Sequence, residues 1–151
     1  LVAQGDGPGA LAAYRAGLAI ADSLAKRDPA NTQWQRDLSV SHEKIGDVLV
    51  AQGDGPGALA AYRKGLAIRE TLSARDPANT QWQTDLVIIY WKIGTSVKAS
   101  QAQRLEYLER GRSILLGLKR ENRLMPKNDW IGLLDSELAK LREISSAASG
   151  R

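Results

Sequence analysis

The sequence predicts an all-α protein built from repeated helical hairpins, and three observations carry that expectation. Residues 2–15 read VAQGDGPGALAAYR and recur letter for letter as residues 50–63. At that offset of 48, residues 2–49 and 50–97 agree at 33 of 48 positions, and self-similarity at such a period marks a repeat architecture. Between the turn-forming clusters the apolar residues recur at i, i+3, i+4 spacing, the signature of amphipathic helix. The composition is rich in Ala and Leu, lacks Phe, and holds only five Pro, which favours helix over strand.

The elements follow in order. Gln4-Gly5-Asp6-Gly7-Pro8-Gly9 is a turn, with Asp6 or Gly7 as N-cap and Pro8 in the first helical turn, where its missing N–H costs nothing. Leu11, Tyr14, Leu18 and Leu24 then mark a helix to about residue 27. Asp28-Pro29 stops it, because the residue before proline is pushed out of the α region. Asn31-Thr32 offers a new cap for a helix over about 33–51, whose stripe is Trp34, Leu38, His42, Ile45 and Leu49. The second copy predicts helices to about residue 75 and over about 81–99.

The copy then degrades. SQAQ (100–103) replaces the Gly-Pro turn, and a helix over about 103–120 matches its predecessor at an offset of 46: Leu105, Leu108, Gly111, Ile114 and Leu118 answer Leu59, Tyr62, Gly65, Ile68 and Leu72. The 48-residue register returns beyond Met125-Pro126, since Trp34, Trp82 and Trp130 are evenly spaced, as are Leu38, Leu86 and Leu134. The last helix, about 128–145, is followed by a tail expected to fray. Gly46 and Gly94 become Arg142 there. A mid-helix glycine costs about 1 kcal/mol against Ala, so it belongs where another helix must come close, and its loss suits a terminal capping helix.

Composition bounds the function classes. Without cysteine, neither a disulfide framework nor a thiolate metal site is available. No run approaches the roughly 20 apolar residues of a membrane span, and no signal peptide is expected in the first residues. Leu1 stands where Leu49 stands in the next copy, so the chain is expected to be a C-terminal fragment of a longer protein. Residues 1–97 carry ten Lys/Arg and ten Asp/Glu, so the net charge of +4 comes from the last third. Its basic residues, Arg104 to Lys127, are interleaved with Glu106, Glu109 and Glu121 and read as a solvated face, so nucleic acid is not an expected partner.

Ile45-Gly46, Leu49, Gly53-Asp54, Ala58-Leu59, Tyr62, Leu66 and Ile68 fall in the relative places of a known motif, closed by Asp76-Pro77. The pattern resembles the tetratricopeptide repeat. That resemblance implies a right-handed α-solenoid of antiparallel hairpins in one domain: a partial repeat (1–31), a repeat (32–79), a degenerate repeat (80–127) and a capping helix (128–146). The standard period is about 34 residues. The excess of 14 here is close to four helical turns, about two for each helix of the hairpin, and makes this a long-helix variety.

In that family the first helix of each hairpin lines the concave groove. Position by position, the resemblance implies partner-binding roles for Val40, Glu43, Lys44 and Asp47, and for Ile88, Trp91, Lys92, Thr95 and Lys98. Lys140 completes a column with Lys44 and Lys92 that suits acidic side chains. The copies differ chiefly here, SVSHE (39–43) against VIIYW (87–91). The Lys/Asn carboxylate clamp of some relatives is absent, because Glu43 and Trp91, then Asp47 and Thr95, stand in its places.

Trp34, Trp82, Trp130, Tyr14 and Tyr62 are expected to pack, and His42, which alternates with Tyr90 and Leu138, fills a packing slot rather than a metal or catalytic site. No catalytic motif appears, and no cofactor is implied. The expected function is a non-catalytic, cytoplasmic scaffold that binds a protein or peptide partner. The rivals are self-assembly into a homo-oligomer through the N-terminal end and a regulatory arm of an enzyme domain outside this chain.

Overall fold

Asn31 and Asn79 set the frame. Each lies in extended backbone, and its side-chain oxygen accepts the N–H of Trp34 (3.0 Å) or Trp82 (3.1 Å), pairing a donor that the first helical turn leaves orphaned. In the computed structural model, which describes residues 7–150, six α-helices follow one another with no strand among the described residues: α1 Gly7–Arg27, α2 Thr32–Ala51, α3 Gly55–Arg75, α4 Thr80–Gly94, α5 Gln101–Arg120 and α6 Ile131–Ser149. The fold class is all-α. Asp6, a candidate first cap, lies outside the described residues. In the second copy Asp54 caps α3, accepting the N–H of Gly57 at 2.9 Å.

The chain packs as two compact units, Leu1–Arg75 and Asp76–Arg151. In the first, α2 packs against both α1 and α3. Ala21, Ala25 and Leu38 form a small buried core there, with Leu18 and Ile68 against it. Gly46 makes the α2–α3 approach possible, since a Cβ at that position would fall on the ring of Tyr62. In the second unit α5 packs against α4 and α6 around Val87, Leu108, Leu115, Leu134, Leu138 and Leu141. Gly94 repeats the device: its Cβ would lie 2.5 Å from Leu108 Cγ.

Three helix boundaries depart from expectation. Helix α4 stops at Gly94 rather than near residue 99. Polar and β-branched residues, Thr95-Ser96-Val97, replace the Asp47-Val48-Leu49 that carries α2 onward. The freed helix end is satisfied otherwise, because Arg104 donates its Nε–H to the Gly94 carbonyl at 3.0 Å.

The last helix starts at Ile131 rather than 128, behind a short 3-10 turn at Pro126–Asn128. Asn31 and Asn79 stand three residues before their tryptophans, whereas Asn128 stands two before Trp130, and Lys127 occupies the capping position. Trp130 becomes the cap residue, with no side-chain capping bond, and α6 runs on to Ser149. Arg142 is exposed and reaches back to Glu109 of α5 at 2.8 Å.

Candidate functional site

Of the ten residues expected to bind a partner, Ile88 and Trp91 are brought together. One helical turn apart on α4, they line an apolar groove of about 160 Å³ with Val87, Trp130, Leu133 and Leu134. The groove lies between α4 and α6, within the second unit. Its floor is core: Val87 and Leu134 are 1% exposed, and Trp91 and Trp130 pack against the same buried cluster. Its lip is not, because Leu133 is 56% exposed. Thr95 does not enter the groove; its hydroxyl donates to the Trp91 carbonyl at 2.8 Å. Lys92 is half-buried, Lys98 is exposed, and Lys140 is exposed and ion-paired with Glu137 at 2.6 Å.

The α2 residues behave differently. Val40 is half-buried and Lys44 exposed, but Glu43 is buried and engaged inside its own unit. Arg69 of α3 holds it at 2.5 Å, and the Arg69 Nε–H donates to Ser39 Oγ at 3.3 Å. Ser39 in turn donates to the Arg36 carbonyl at 2.7 Å. Asp47 accepts the Tyr62 hydroxyl at 2.8 Å. Burial and the Asp47 carboxylate together push the Tyr62 phenol well above its ordinary pKa. Glu43 and Asp47 are thus held by intramolecular partners.

This geometry explains most of the contrast between the copies. Ser39, Glu43 and Arg69 become Val87, Trp91 and Leu115, and the polar trio is exchanged as a set for three side chains of the second unit's apolar core. Tyr62 and Asp47 become Leu108 and Thr95. His42 and Ala61 become Tyr90 and Tyr107, whose rings stack with centroids 5.4 Å apart. The trio exchange swaps both sides of a contact together, from the Arg69–Glu43 pair to the Val87, Trp91 and Leu115 packing.

Val87, Trp130, Leu133 and Leu134 are the groove residues that sequence reasoning did not single out for binding. A signal existed for Leu133: the corresponding positions in earlier copies are Asp37 and Asp85, so an acid has become an exposed leucine. His42 is half-buried, and its pKa is lowered by burial and then by the Lys64 charge, against an opposing pull from Asp22. Among the described residues no group of three or more His, Cys, Asp or Glu is placed to hold a metal ion, and no helix is long and apolar enough to cross a membrane. No family model, curated protein or solved structure matches the chain.

Proposed function

We propose that the chain is a non-catalytic protein-interaction module, a tetratricopeptide-like solenoid of long hairpins. In this reading it grips an apolar side chain of a peptide or partner domain in the α4–α6 groove. The observation that carries it is Leu133, 56% exposed on the rim of a groove walled by Ile88, Trp91 and Trp130. An exposed leucine over a tryptophan-lined recess leaves apolar area in water that a partner would cover, and buried tryptophans are frequent anchors of binding energy. Lys92 follows Trp91 on α4, and this reading assigns it to an acidic flank of the ligand. The close α2–α3 and α4–α5 approaches at Gly46 and Gly94 support the repeat reading, and a cytoplasmic setting belongs to the same proposal.

Peptides selected from a random display library against the chain test it. Leu133→Glu should weaken the selected peptides at least about tenfold while helicity by circular dichroism stays unchanged. Trp91→Ala and Lys92→Glu should also weaken binding, the first with some loss of stability because Trp91 packs on the core. A library without enrichment, or affinities indifferent to Leu133→Glu, sinks the groove. So does a concentration-dependent dimer that Leu133→Glu abolishes, because a second copy would then be the occupant.

A further inference from the structure

Apart from Ala21 in place of Arg69, helix α1 carries the same side chains as α3 at the positions that α3 buries, yet covers most of them less completely. Gly17 and Ile20 are exposed, Ile20 at 64%, whereas Gly65 is buried and Ile68 is half-buried against the first unit's core. Leu11, Tyr14 and Leu24 are half-buried, whereas Leu59, Tyr62 and Leu72 are buried. Gly17 has open space where its Cβ would stand. With α2, this face forms a groove of about 260 Å³ lined by Gly17, Ile20, Ala21, Leu24 and Trp34, with Asp37 and Ser41 at its side. Ala21 also belongs to the buried core, so the groove continues an interface that already exists.

We infer that this face is a docking site for a second amphipathic helix bearing the inward stripe of α2, Ile45-Gly46-Asp47. The chemistry of the occupant is set by how α3 holds α2. The Tyr62 ring lies where a Gly46 side chain would be, and the Tyr62 hydroxyl donates to Asp47 at 2.8 Å. Tyr14 offers the same ring and hydroxyl from α1, so the occupant carries glycine opposite Tyr14 and a carboxylate at the next residue. A second copy of the chain is a poor source of that helix. Its α2 and α4 already pack against α3 and α5, and its α6 has Arg142 at the glycine position, too large to sit over a tyrosine ring.

A synthetic peptide of residues 31–52, added to the intact chain and followed by calorimetry, tests the inference. Saturable binding is expected. It should weaken at least about tenfold with Ile20→Glu or Gly17→Leu in the chain, and equally with Gly46→Leu in the peptide. Ile144→Glu, on exposed α6 surface, should change nothing.

Because isolated helices of this length are marginal in water, the same helix is also to be joined in cis, by placing residues 31–48 ahead of Leu1. The extended protein should melt higher and protect Ile20 from hydrogen exchange, and Gly46→Leu in the added copy should remove both effects. Either form of docking, with this dependence on the glycine, supports the site. Failure of both overturns it, as does binding indifferent to Ile20→Glu and to the glycine. A dimer of the unextended chain that Ile20→Glu dissolves also overturns it, since another copy would then fill the face. All these outcomes concern the first unit and leave the α4–α6 groove to its own test.

Discussion

Arg69 of α3 and Glu43 of α2 meet at 2.5 Å with side chains only 2% and 12% exposed, and Ser39 Oγ accepts a hydrogen bond from the guanidinium Nε–H. A pair so enclosed repays its desolvation only while both members are present. Arg69→Leu alone strands a carboxylate and is expected to cost about 3 kcal/mol in urea unfolding, with Glu43→Leu costing a similar amount. The triple change Ser39→Val, Glu43→Trp, Arg69→Leu copies the Val87, Trp91, Leu115 solution and should recover most of that loss. If the triple variant loses the sum of its parts, the set exchange is not a compensation.

Glycines in like positions should respond oppositely. Gly46→Ala drives a methyl onto the Tyr62 ring, and overpacking of that kind costs about 1–3 kcal/mol. Gly17→Ala meets nothing and should stabilise the chain by about 0.5–1 kcal/mol through helix propensity. Thermal melts of the two variants give the comparison; shifts of the same sign would refute it.

The Tyr62 phenol should stay protonated above pH 10. Its folded pKa lies above the unfolded value of 10.0, so the native state retains the proton more strongly. That contribution is fully present below pH 10 and is lost as pH rises through the folded pKa. Tyr62→Phe should therefore leave the phenolate absorbance of the native protein near pH 10 unaltered while lowering that of the urea-unfolded chain. Tyr62→Phe itself should cost about 1 kcal/mol, because it leaves Asp47 without its hydroxyl donor.

For His42 the sign reverses. Its folded pKa lies below 6.5, so between the two values the unfolded chain binds the extra proton and stability falls as pH drops. Urea midpoints for the wild type should decline from pH 7 towards pH 5 more steeply than for His42→Gln. Equal slopes would remove His42 as a cause of acid sensitivity.

Much of the architecture was legible because local chemistry repeats with the sequence. Asn31 and Asn79 cap as expected, and Gly46 and Gly94 admit Tyr62 and Leu108. The α4 terminus was read too far although Thr95-Ser96-Val97 marks it locally; the Arg104 Nε–H that meets the Gly94 carbonyl lies ten residues further on. At the candidate site, the contrast between SVSHE and VIIYW was visible, but its cause was not. Glu43 and Trp91 differ because Arg69 and Leu115 differ, and those partners lie 26 and 24 residues along the chain from them. Ile88 and Trp91 could be read from α4 alone, whereas Leu133 joins them only through the packing of α4, α5 and α6.

Related copies in one chain invite mispairing while the chain folds, when α2 and α4 each meet α3 and α5 as possible mates. The buried polar trio makes the wrong choice costly. Were α2 to close on α5, Glu43 would lie against Leu115 and bury a charge with no counterion; were α4 to close on α3, Arg69 would face Val87 and Trp91. A buried ion pair in one unit and an apolar contact at the matching place in the other let duplicated segments tell one another apart, so divergence at a few inward positions keeps the folding landscape single-valued.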